Sequence, residues 1–221
     1  MTEHDEREER RRRSIELLNQ IQRRADEVLA ENADVLAEFE KVTREFCIGQ
    51  AENRTFARRP QLGFKLVCEG DPPARIAVRP NWSRHRKQVL FDHINVELMI
   101  ERKLNAEGAT TVDRGFGLAF NRGIPQGTLW AGYCPDGAER MVGTIRGFLA
   151  DPAAVFARSA DNCCICGRRL TDDTSRTRGI GPECIQTIRF FPVLWDSPTS
   201  LLDRMPVRAP AARSTQEEVQ G

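Results

Sequence analysis

Four of the chain's seven cysteines fall within NCCICGRRLTDDTSRTRGIGPEC, residues 162–184. Cys163 and Cys166 are separated by two residues, and Cys184 follows Gly179-Ile180-Gly181-Pro182. A Cys-x2-Cys turn puts two sulfurs on one side of a tight knuckle, and Gly167 beside it lets the backbone reverse. Pro182 pre-sets φ for a first helical turn, which makes Gly181 the N-cap and Cys184 the third helical residue. A thiolate there lies against free backbone N–H groups at the positive end of the helix dipole. This is the logic of a treble clef, and it predicts zinc held by Cys163, Cys166 and Cys184. A second helix ligand would stand at Thr187, and threonine is a poor zinc ligand. The fourth place is therefore open to Cys134, His93, His85, Cys68, Cys47 or a water. Cys134 is preferred because it ends the segment GTLWAGYC beside Pro135. Cys164 points elsewhere. A redox pair is disfavoured, because GRRLTDD reads as a hairpin or turn and not as the helix such a pair needs.

A second chemistry-bearing stretch is RIAVRPNWSRHRKQ, which gathers Arg75, Arg79, Arg84, Arg86 and Lys87 around Trp82. Cations contact phosphates and release counterions, and a Trp can stack on an exposed base. The competing reading is a solvated loop whose arginines pair with the acidic N-terminal helix and whose Trp anchors the core. The net charge of +1 hides a strong asymmetry. Residues 1–53 carry nine basic and fourteen acidic side chains, whereas residues 54–87 carry nine basic and two acidic. Such blocks inform more than the total.

No His-Glu-x-x-His, Walker A or Gly-x-Ser-x-Gly sequence occurs. The zinc-deaminase pattern is absent as well. Three thiolates on one metal make a poor Lewis acid, so the expected role of the site is structural. The N-terminus MTEHDEREERRRRS has no apolar core of a signal peptide, and no apolar run reaches the roughly 20 residues of a membrane span. A cytoplasmic location follows as the expectation, in a bacterium or a phage-infected host cell. Reducing conditions there disfavour a disulfide framework.

The elements that must position these residues begin with a helix. Leu18, Ile21, Ala25, Val28, Asn32, Val35, Phe39, Val42 and Phe46 alternate in steps of three and four, a heptad pattern. Asn32 takes an a position, where a buried Asn can fix register. Leu29 and Leu36 widen the stripe, toward either self-association through residues 14–46 or docking on the chain's own body. GFKLVCE and ARIAVRP read as strands around Asp71-Pro72-Pro73. FDHINVELMIERKLNAEG reads as a helix capped by Asp92, and RGFGLAF and GTLWAGYC as short strands. AERMVGTIRGFLA leans to helix, and Asp151-Pro152 opens another.

Cys163, Cys166, Gly167, Arg168, Leu170, Thr171, Asp172, Ser175, Gly179, Gly181, Pro182 and Cys184 together spell CxxCGRxLTD, a Ser, then GxGPxC. In this the segment resembles a family of uncharacterised domains from actinobacteria and their phages, over roughly residues 150–190. The resemblance implies a small zinc-binding domain of unknown function, often within proteins acting on nucleic acid. Some members carry His three residues after the last Cys, where Thr187 stands here.

The predicted fold class is α+β. A charged tail (1–13) precedes a long heptad-patterned helix (14–48). A central region (54–149) holds a small, mainly antiparallel sheet and the basic stretch 75–87. A zinc module (150–191) and a disordered tail (197–221) follow. The leading expectation is a non-enzymatic protein that binds DNA or RNA with zinc as scaffold. Alternatives are an assembly factor working through the heptad helix, and an enzyme with an unrecognised site.

Overall fold

The structure, a computed structural model, describes residues 3–52, 62–83, 88–103, 110–121, 124–128, 134–159 and 161–188. It is an α+β fold with a five-stranded antiparallel sheet in the order β1-β2-β3-β4-β5. The strands are β1 (Phe64–Cys68), β2 (Ala74–Ser83), β3 (Gln88–Lys103), β4 (Thr110–Asn121) and β5 (Ile124–Thr128). Helices α1 (Glu3–Glu31) and α2 (Ala33–Glu52) precede the sheet. After it come α3 (Gly137–Ala150), α4 (Pro152–Ala157), α5 (Asp173–Arg178) and α6 (Pro182–Ile188). Among the described residues no helix is long and apolar enough to cross a membrane.

The N-terminal helix differs from its expected form in two ways. It starts at Glu3, inside the span read as a charged tail, and it divides at Asn32. Glu8–Arg12 and Glu9–Arg13 ion pairs, at 3.1 and 2.9 Å, support the early turns at the spacing that suits a helix. Asn32 is half-buried and makes its hydrogen bonds within the chain. Its amide donates to the Val28 carbonyl at 2.6 Å and its Oδ1 accepts from Arg146 Nε at 3.0 Å. Ile21, Ala25, Val28, Leu29, Leu36, Phe39, Val42 and Phe46 are all buried. The apolar stripe therefore packs on the chain's own sheet and on α3, and the breadth given by Leu29 and Leu36 suits that role.

The sheet follows a period of two. Leu66, Ile76, Val78, Ile94, Val96, Leu98, Ile100, Phe116, Leu118 and Phe120 are buried on one face. Of the segment FDHINVELMIERKLNAEG, expected as a helix, residues 91–103 are instead part of β3, and 104–108 lie outside the described residues. Ile94, Val96, Leu98 and Ile100 alternate strictly, and two of the four are β-branched isoleucines, joined by a valine. Pairing with β2 and β4 along both sides overrides the local helix signals of Asp92 and Gly108. Of the strand expected over GTLWAGYC, Gly127 and Thr128 fall in β5, and residues 129–133 lie outside the described residues. β5 spans Ile124–Thr128, and Cys134 lies in the turn before α3. The strands read from GFKLVCE, ARIAVRP and RGFGLAF, and the helices over AERMVGTIRGFLA and after Asp151, are as expected.

Five phenylalanines tie the layers together. Phe39 and Phe46 of α2, Phe64 of β1, Phe148 of α3 and Phe156 of α4 meet at centroid distances of 5.1 to 6.4 Å. Most of these contacts are edge-to-face, the arrangement that the ring quadrupole favours. Phe156 thereby anchors the C-terminal module on the main core.

Candidate metal centre

The C-terminal module is built by glycines and caps. Asp151 accepts from Ala154 N at 3.0 Å to start α4, with Pro152 in its first turn. The chain then reverses. Asn162 bridges Arg169, Cys163 N donates to Arg168 O at 2.8 Å, and Gly167 N donates to Cys163 O at 2.8 Å. Gly167 sits at φ +73°, where a side chain is disfavoured. Asp172 caps α5 by accepting from Ser175 N at 2.8 Å. The Ser175 hydroxyl, then its backbone N–H, hold the Asp172 carboxyl below its ordinary range. Gly179 ends α5 in the left-handed region and turns the chain toward α6. Ile185 N donates to Gly181 O at 3.0 Å, so Gly181 is the N-cap of α6 and Cys184 its third residue.

This path brings Cys163, Cys166 and Cys184 together. Their sulfur atoms all lie within 4.8 Å of one another, and could hold a metal ion. Gly181 N points at Cys163 Sγ from 3.4 Å. The Cys184 thiol donating to Cys163, with backbone N–H groups of Cys166, Gly181 and Ile165, pulls the Cys163 pKa well below that of an ordinary thiol. Cys184 moves the opposite way because it is the proton donor of the pair.

The remaining cysteines are placed apart from the trio. Cys164 is buried, and its thiol donates to Gly179 O at 2.7 Å, as its opposite direction from Cys163 suggests. The preferred fourth ligand, Cys134, is not brought to the cluster. Its thiol donates to Asp136 Oδ1 at 2.8 Å and receives Arg140 Nη1 at 3.7 Å. Cys68 contacts the Thr144 hydroxyl, Cys47 is buried in α2, and His93 Nδ1 meets Asp92 at 2.9 Å. Among the described residues no fourth Cys, His, Asp or Glu joins the three within the same distance. His85 lies outside the described residues.

Of the basic stretch, Arg75 and Arg79 stand on the sheet face opposite the helix layer. Neither pairs with the acidic N-terminal helix. Arg75 Nε is 3.1 Å from Glu101, and Arg79 Nη2 is 2.5 Å from Glu97. Glu97 is buried although it lies on that face. Its lateral neighbours are Ala77 and Gly117, so the carboxylate lies low and Arg79 and Arg114 close over it. Arg84, Arg86 and Lys87, and the side chain of Trp82, lie outside the described residues.

How the knuckle meets the sheet was not legible from residue order. β1 is an edge strand, and Lys65 N donates across its free edge to Cys164 O at 2.6 Å. The knuckle thereby caps an edge that would otherwise expose unpaired backbone groups.

A comparison with protein families finds a family of unknown function, DUF6011, over residues 153–186. No curated protein and no solved structure matches the chain. Over the span that runs from α4 to the third cysteine, the chain is similar to this family of unknown function.

Proposed function

We propose that the metal is zinc, that its role is to hold the C-terminal module in shape, and that the protein uses the neighbouring basic face to bind nucleic acid. The convergence of the three sulfurs carries the zinc reading. A tetrahedral Zn²⁺ with bonds of about 2.3 Å sets its sulfur ligands about 3.8 Å apart, which fits a trio within 4.8 Å. His85 or a water would complete the site. Bound zinc would supply folding energy by tying the knuckle to the first turn of α6. Arg75, on the face turned from the helices and in a partly exposed pair with Glu101, supports the nucleic-acid reading, since phosphate can compete for an arginine so placed, whereas Arg79 is tied to the buried Glu97. The test measures metal content and binding on one sample. One zinc per chain, with salt-dependent retention of DNA or RNA oligonucleotides, is the expected result. Substoichiometric zinc in folded protein would overturn the scaffold. No binding to single or double strands at about 50 mM salt would overturn the nucleic-acid role.

A further inference from the structure

Two clefts meet where the knuckle lies against β1 and β2, and Lys65 lines both. The larger, of about 360 Å³, has apolar walls from Ala77, Pro80, Val89 and Ile165, with Arg79 at its rim. The smaller, of about 170 Å³, is polar and is lined by Lys65, Arg75, Ser159, Asn162 and Gly167. Lys65 Nζ lies over the knuckle, 3.8 Å from the place a Cβ on Gly167 would take. Among the described residues neither the Lys65 ammonium nor the Asn162 side-chain amide has a hydrogen bond or ion pair. Other cations nearby are engaged: Arg75 with Glu101, Arg79 with Glu97 and Arg168 with Glu183. An unpaired cation beside Asn162 in one polar cleft, next to a larger cleft of mixed character with apolar walls, matches the two halves of a nucleotide.

We propose that this double cleft seats one nucleotide unit of a single-stranded nucleic acid, the base in the apolar cleft and its phosphate on Lys65 and Asn162. The inference rests on the nucleic-acid reading above and gives it a place on the described residues. A base can enter only when it is free of a duplex stack, so single strands are the ligand. The metal-held knuckle forms one wall through Ile165, Asn162 and Gly167. Loss of the metal would therefore disassemble the seat.

The experiment titrates the full chain into fluorescein-labelled dT12 and rU12 across a salt series. Zinc content and melting temperature of every variant are measured alongside. Lys65→Ala, an exposed position, should weaken binding about tenfold. It should also flatten the log–log salt slope by about 0.7, the share of one phosphate contact on a single strand. Ala77→Phe fills the larger cleft without changing charge, and should weaken binding with the slope intact. The occupant is wrong if thymidine monophosphate binds as tightly as dT12, or if a duplex of the same length binds better than either strand. If the unmutated chain binds strands while Lys65→Ala and Ala77→Phe bind equally well, this seat is overturned and the nucleic-acid reading stands. If the unmutated chain binds no strand at all, the broader reading falls and takes the seat with it.

Discussion

Gly179 passes so close to Phe156 that a Cβ built on it would lie 1.7 Å from the Phe156 carbonyl oxygen. The same glycine holds φ at +67°, caps α5, and gives its own carbonyl to both the N–H and the thiol of Cys164. One backbone position thus joins α4, α5 and the knuckle. Gly179→Ala must meet the left-handed penalty of about 1–2 kcal/mol and also push two backbones apart. The expected outcome is a module that releases its metal to a chelator far faster than the unmutated protein. Gly143→Ala, where an added Cβ meets nothing within 4 Å, is the control that should behave as wild type or better. Equal metal retention by Gly179→Ala would show that the α4–α5 contact does not support the site.

The separation of Cys134 from the sulfur trio gives a second prediction. Cys184→Ser should abolish stoichiometric metal binding and unfold residues 161–188, since structural zinc contributes about 10–16 kcal/mol in small modules. Cys134→Ser should keep the metal, because its thiol is committed to Asp136. Metal analysis after dialysis against a competing chelator distinguishes the two. Loss of metal from Cys134→Ser, with the fold intact, would bring Cys134 back as the fourth ligand.

The heptad stripe gives the third. Phe39 is fully buried and makes edge-to-face contacts with Phe64 and Phe148 at 6.4 and 5.8 Å. Phe39→Ala should cost about 3–5 kcal/mol, read as a fall in the denaturant midpoint. Were the stripe a seam between chains, Phe39→Asp would give a folded monomer. Packing within the chain predicts an unfolded one, and sedimentation with circular dichroism on the same sample decides.

What the sequence revealed follows the range of the interactions involved. The trio Cys163, Cys166 and Cys184 was legible because ligand spacing, Gly167 and the Gly181-Pro182 helix start are local features. The α4 helix was legible for the same reason, through Asp151-Pro152, whereas the segment of α3 leaned to helix without a decisive local signal. The strand β3 was misread because Asp92 and Gly108 mimic helix ends, while the two partners that fix it as a strand lie elsewhere in the chain. Asn32 was placed on the correct stripe, but its partner is Arg146, more than a hundred residues away. The ion pairs of Arg75 and Arg79 were hidden likewise, because their carboxylates are set by the β2–β3 register. Nothing in the order of residues announces that Lys65 and Asn162 share a cleft.

Cys134 and Cys47 give the pH prediction. Burial, then the hydrogen bond to Asp136 and its charge, pushes the Cys134 thiol up to about 11, with Arg140 opposing. Burial alone pushes Cys47 up to about 12. In the unfolded chain such thiols lose their protons near the ordinary value of 9.0. The folded state therefore holds more protons than the unfolded state above pH 9. The stability this adds is fully present below pH 9, falls as pH rises, and is lost once pH passes about 11 for Cys134 and about 12 for Cys47. Melting temperatures measured from pH 8 to 11 should decline, and the decline should be shallower in Cys47→Ala, which lacks one of the buried thiols held protonated by the fold. The folded protein at pH 8 should also leave Cys47 and Cys134 unmodified by iodoacetamide while the unfolded chain reacts at both. A pH profile identical in the variant, together with rapid modification of Cys47 in folded protein, would mean that α2 opens enough to admit water to the core.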